Sequence, residues 1–150
     1  MTMAGPKEHL RIPATLDRVA EVRALVRRFA ERCRAPDACE DDLVQAVDEI
    51  ATNTIIHGYR GSPGWLDVTA EHVDDRIVVT IEDEAPLFDP TTVPQPDLDT
   101  APEHRRPGGM GVHLTRLASH SMRHEAKPGG GNILIITRGL SDSARGRTIR

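Results

Sequence analysis

The chain has 150 residues, 38% of them hydrophobic and 28% charged, the size and balance of one globular domain with its own core. Aromatics are only 3%, so the predicted core is aliphatic and base-stacking nucleic-acid modules are excluded. With 19 basic and 23 acidic residues, the formal charge of −4 gives no general pull toward a phosphate backbone. Nearly all the positive charge is arginine, Lys7 and Lys127 being the only lysines; a GC-rich genome explains that bias better than carboxylate or phosphate recognition does. Cys33 and Cys39 form no cluster at zinc-ligand spacing and read as reduced thiols. The N-terminus lacks an apolar signal core and no run approaches a membrane span. A cytoplasmic protein that binds neither nucleic acid nor membrane is expected.

Residues 9–12 read as a short extended segment ended by Pro13. From Thr15, a candidate N-cap, apolar residues recur at Leu16, Val19, Val22, Leu25 or Val26, Phe29 and Cys33, the three-and-four spacing of an amphipathic helix. Arg34 to Asp37 breaks it at Pro36. A second helix is predicted over 40–57, with an acidic start (Glu40, Asp41, Asp42) and an apolar stripe of Leu43, Val47, Ile50 and Thr54. Gly58 stands where a C′ glycine belongs. After the turn at 61–64, period-two alternation over 65–72 and 76–83 predicts a hairpin closed at Val73 to Asp75.

Residues 84–107 hold six of the eleven prolines and lack periodicity, the mark of a functional or disordered loop. A helix resumes over 108–119 through Gly108-Gly109-Met110-Gly111. Two strands, 121–126 and 132–138, flank Gly129-Gly130-Gly131, which reads as a hairpin turn. Residues 1–8 and 141–150 are expected to be flexible termini. The order predicts an α+β two-layer sandwich, its sheet mixed but mostly antiparallel, with helices on one face.

Three features carry candidate chemistry. Glu49, Asn53 and His57 are spaced i, i+4, i+8 and form one slowly drifting stripe at the edge of the apolar face. A carboxylate and an amide oxygen there can serve a hard cation or orient a nucleophile, and the same residues equally fit the polar border of a core-facing helix. Asp83 continues the inward alternation of Ile77, Val79 and Ile81. It therefore needs donors, either as a cap on the next turn or from a ligand amino group. The glycines at 108–111 open a helix whose exposed N–H groups can receive an anion, although the pattern is neither G-x-G-x-x-G nor a P-loop.

Together these residues resemble a family, the anti-sigma factor serine/threonine kinases. These belong to the histidine-kinase-like ATPase superfamily (the GHKL group, with the Bergerat ATP-binding fold) that includes gyrase, Hsp90 and MutL. Asp48-Glu49-Ile-Ala-Thr-Asn53-Thr-Ile-Ile-His57-Gly58-Tyr59 is similar to the N box, E-x-x-x-N-x-x-x-H-G. Asp83 with Phe88-Asp89-Pro90 resembles the G1 region, Gly108 to Leu114 the G2 box, and Asn132 with its apolar strand the family's ending. The resemblance covers 9–140 and makes 84–107 the ATP lid.

It implies ATP and Mg²⁺ as cofactors. Asn53 would ligate the metal and Glu49 would be the base that activates a serine hydroxyl. Asp83 would accept from the adenine amino group, and Gly109 and Gly111 would lie against the phosphates. Arg105 and Arg106 in the lid could add charge near the γ-phosphate. Two residues depart from the G1 pattern D-x-G-x-G, with Ala85 and Leu87 where glycines are expected. If that backbone must be left-handed or touch adenine closely, Ala85 lowers ATP affinity. His120 stands in place of an acidic residue, and Ile135 where a threonine would join the adenine water network.

The implied function is phosphorylation of a serine on an anti-sigma antagonist of the STAS type, with sequestration of a sigma factor. The alternative is a kinase-inactive regulator of the same fold acting by sequestration alone. No phospho-acceptor dimerisation helix precedes the domain and no transducer follows it, which disfavours a histidine-kinase or gyrase-like ATPase. Homodimers are common in the family, but no interface, sigma factor or antagonist is legible in these residues.

Overall fold

Alternating burial along five strands generates the architecture. The computed structural model describes residues 5–89 and 121–141. The strands are β1 (Lys7–Pro13), β2 (Trp65–Val73), β3 (Arg76–Asp83), β4 (Ser121–Ala126) and β5 (Asn132–Gly139). They form one sheet in the order β1-β2-β3-β5-β4, and all four pairings are antiparallel. The predicted mixed sheet therefore contains no parallel pair among the described residues.

Every second residue faces the core. Ile12, Leu66, Val68, Ile77, Val79, Ile81, Leu134 and Ile136 are all buried, and they join Val22, Phe29, Leu43, Val47 and Ile50 of two helices in one cluster. The helices are α1 (Val19–Arg32) and α2 (Asp37–Asn53). They pack on each other and on that sheet face, which gives the expected two layers. Removing these aliphatic side chains from water is the main stabilising term.

Several boundaries move for identifiable reasons. Leu16, placed in the first helical stripe by its spacing, lies instead in a 3₁₀ turn (Leu16–Arg18) and is 54% exposed. Thr15 makes no side-chain cap there. Helix α2 begins at Asp37 rather than at 40, because Pro36 holds φ at −57° and its carbonyl accepts from the N–H groups of Cys39 and Glu40. Asp37 thereby joins the acidic first turn, where the helix dipole favours it.

Helix α2 does not end on a glycine cap. It continues into a π turn (Thr54–Tyr59), and the left-handed residue that stops it is Arg60, at φ 53°. Gly58 lies inside the π turn, where a Cβ would come within 3.2 Å of the Ala85 Cβ. Its role is close approach, not conformational freedom.

Among the described residues the most deeply buried charged side chain is an arginine. Arg138 of β5 is 2% exposed, and its Nε and Nη2 both donate to Asp42 Oδ2 of α2, at 3.2 and 3.0 Å. Its Nη1 donates to the Gly139 carbonyl at 2.9 Å. Cys39 nearby donates its thiol to the same carbonyl at 3.4 Å. Among the described residues no helix is long and apolar enough to cross a membrane. The helix predicted over 108–119, with Gly109 and Gly111, lies outside the described residues. So do Arg105, Arg106, His120 and all of the predicted lid beyond residue 89.

Candidate functional site

Glu49 and Asn53 occupy the last turns of α2, one helical turn apart and therefore on one face. Asn53 is 2% exposed, and its Nδ2 is buried with no hydrogen-bond partner. A half-turn of the amide brings Oδ1 to that position instead. Buried polar atoms are almost always satisfied, so an orphan on a site residue points to an absent ligand.

Glu49 is half-buried and makes no ion pair among the described residues. Burial pushes its carboxyl above the usual carboxylate range, and the neighbouring charge of Asp48 adds to this. Asp48 is held by Arg23 of α1 at 2.5 Å. Of the two adjacent carboxylates, Glu49 is thus the one left without a cation. A carboxylate with a raised pKa and no partner is suited to take up a proton.

After Asn53 the helix widens into the π turn, in which the Arg60 N–H reaches back to the Ile55 carbonyl (3.2 Å). His57 is exposed, with its ring 6.3 Å from that of Phe88.

Asp83 ends β3 on the core face and is 5% exposed. Burial raises its pKa, while hydrogen bonds from Asn132 and the Ala85 N–H act the other way. Its Oδ1 accepts from Ala85 N and from Asn132 Nδ2, both at 2.9 Å. The cap reading and the inward-facing reading of Asp83 are therefore both realised. Ala85 and Leu87 are not among the residues with positive φ, which apart from glycines are Arg34, Arg60 and Asp74 among the described residues. The backbone at the two missing G1 glycines is thus not left-handed, and the conformational penalty anticipated for Ala85 does not arise. Ala85 is instead a buried packing residue against Gly58.

Three residues that hold this corner escaped the sequence reading as site residues. Asn132 makes the bond to Asp83 and accepts at Oδ1 from Phe88 N and His124 Nε2, each at 2.9 Å. Tyr59, at the end of the π turn, accepts from Glu84 N (2.8 Å) and donates to the Trp65 carbonyl (2.7 Å). Gly131, at φ +109°, lets β5 pass so close to Asp83 that a Cβ would sit 2.2 Å from the Asp83 carbonyl oxygen. The strand register pairs Asp83 with Asn132, a proximity that no local pattern encodes. Ile135 faces away from Asp83, on the other side of the sheet from Asn132, Leu134 and Ile136. A threonine at 135 would not reach Asp83.

The π turn and the segment after β3 meet through Tyr59–Glu84, Gly58–Ala85 and His57–Phe88. Glu49, Asn53 and Asp83 make no hydrogen bonds to one another. No group of three or more His, Cys, Asp or Glu side chains among the described residues could hold a metal. A cation at Asn53 would therefore draw most of its ligands from phosphate and water, the habit of Mg²⁺. The orphaned amide fits that role.

The sequence profile of the histidine kinase-like ATPase domain matches residues 12–138. The chain is 31% identical over 98 residues to an anti-sigma F factor of Caldanaerobacter subterraneus subsp. tengcongensis, covering 65% of this chain and 68% of that protein. It is 26% identical over 141 residues to the anti-sigma F factor of Clostridium acetobutylicum, covering 89% and 94%. Against the serine-protein kinase RsbW of Staphylococcus aureus it is 26% identical over 126 residues, covering 80% and 79%. Among solved structures, the RsbU and RsbW domains of a Mycobacterium tuberculosis protein share the fold with a TM-score of 0.66 at 20% identity. That match spans 90% of this chain and 32% of the other.

Proposed function

Since the chain belongs to the histidine kinase-like ATPase domain family, within its anti-sigma factor kinase branch, we propose that it is an ATP-dependent protein serine/threonine kinase that also sequesters a sigma factor. Its substrate would be a serine of a small anti-sigma antagonist of the STAS type. The observation that carries this reading is the buried, partnerless amide of Asn53 one turn from the partnerless carboxylate of Glu49.

In this reading Asp83 accepts from the adenine amino group and Asn53 Oδ1 would hold the cation. When bound, Mg²⁺ supplies charge neutralisation across the phosphates. The Glu49 carboxylate takes the proton from the attacking serine hydroxyl. A bond forms from that oxygen to the γ-phosphorus, the bond from the γ-phosphorus to the β,γ-bridging oxygen breaks, and ADP leaves. Positioning and charge do most of the work in such transfers, and a general base contributes about 10²–10⁴-fold. Gly109 and Gly111 would line the phosphates, with the lid arginines near them. The protein would act in the cytoplasm.

The protein supplied with Mg²⁺ and labelled ATP is expected to phosphorylate a cognate antagonist encoded near it. Glu49→Ala is expected to abolish transfer while sparing nucleotide binding. Nucleotide binding with no transfer to any such antagonist would instead support the second reading, a regulator that acts by sequestration alone.

A further inference from the structure

We propose that Asn132 is the positioning residue for base recognition, setting the orientation in which Asp83 meets the nucleotide, and that His124 holds Asn132 in its working orientation. The inference rests on Asp83 being the acceptor for the adenine amino group.

Every hydrogen-bonding valence of the Asn132 amide is used. Nδ2 donates to Asp83 Oδ1 (2.9 Å) and to the Pro86 carbonyl (3.2 Å), with the Ala85 carbonyl at 3.4 Å. Oδ1 accepts from Phe88 N and His124 Nε2, both at 2.9 Å. The amide cannot be reversed. A flip would turn its oxygen onto the Asp83 carboxylate and two carbonyls, and its NH₂ onto two donors. Because Oδ1 already takes the Phe88 N–H, the His124 nitrogen facing it is the protonated one. The other ring nitrogen lies 3.7 Å from Asp89 Oδ2.

The consequence for Asp83 is directional. Its Oδ1 is committed to Ala85 N and Asn132 Nδ2, so the plane of the carboxylate is fixed and its other oxygen is the one left to address a ligand donor. The same amide ties residues 85–88 to β5. Asn132 thus sets both the acceptor and the backbone beside it, and it does so from a strand joined to β3 only by non-local pairing.

The test compares ATP with purine riboside triphosphate, which lacks the 6-amino group. Binding is measured by fluorescence titration, and folding is checked by thermal melting. The wild-type protein is expected to prefer ATP by about tenfold or more, as for a hydrogen bond to a charged acceptor. In Asn132→Ala the ratio of the two affinities should fall to about one. In His124→Phe, which removes one donor to the amide, it should fall about two- to fivefold. A merely structural role would weaken both ligands alike and leave the ratio unchanged; a folded Asn132→Ala that keeps the wild-type ratio overturns the proposal. Should that variant not fold, His124→Phe decides alone, and an unchanged ratio there overturns it equally. A wild-type protein that binds both triphosphates equally removes Asp83 as the base acceptor, a failure visible before any variant is made.

Discussion

At the scale of single residues, burial raises the carboxyls of Glu49 and Asp83, and the consequences differ. Glu49 can serve as a base only when ionised. Its raised pKa therefore places the acid limb of a pH–rate profile above the ordinary carboxylate range, with transfer increasing as pH rises through it. The sign for stability is opposite. A folded-state pKa above the unfolded value gives stability that is present at low pH and lost as pH rises through the folded value. Glu49→Gln is thus expected to melt slightly higher than wild type at neutral pH, and to flatten the dependence of Tm on pH, while losing transfer. Asp83→Asn separates structure from recognition. Its amide oxygen can still accept from Ala85 N and Asn132 Nδ2, so the fold should survive, but an NH₂ replaces the oxygen offered to the base. ATP affinity should drop by about 1–3 kcal/mol in calorimetric titration, whereas Asp83→Ala should also lower Tm by orphaning those two donors.

At the scale of elements, the strands, both helices and the Gly129–Gly131 turn were legible because each has a local cause: period-two or three-and-four spacing, a proline, or a run of glycines. The placement of Glu49 and Asn53 one turn apart on a single helix was legible too. What spacing could not reveal is where that helix changes pitch. The π turn at Thr54–Tyr59 brings the Tyr59 hydroxyl to Glu84 N, a partner remote in sequence. Tyr59→Phe should cost about 1–3 kcal/mol in denaturant unfolding, because the Glu84 N–H and Trp65 carbonyl both lose their partner. Gly131→Ala tests the tightest crossing. Its φ of +109° and the Asp83 carbonyl in the path of a Cβ predict a loss of about 1–3 kcal/mol from backbone strain alone, with a further loss of nucleotide affinity as Asp83 shifts.

Across the whole molecule, polar contacts join the helical layer to the sheet besides the apolar core, among them the corner around Asp83 and the buried Arg138. The burial of Arg138 against Asp42 had no sequence signal, since an arginine late in a strand reads as a solvated end. Asp42→Ala leaves an arginine that is 2% exposed without its carboxylate and should destabilise by about 3 kcal/mol, the low end for a broken buried pair because Asp42 itself is 23% exposed. Arg138→Met, read in the same melts, should cost much less. The strand order has a kinetic consequence. The β2–β3 and β4–β5 hairpins are local in sequence and can form early, but Asp83 and Asn132 are 49 positions apart and meet only when β3 docks on β5. Long-range pairing must first overcome the entropy of closing the intervening chain. Refolding followed by stopped flow should therefore show secondary structure returning ahead of nucleotide affinity, the pocket appearing only when the two hairpins have joined.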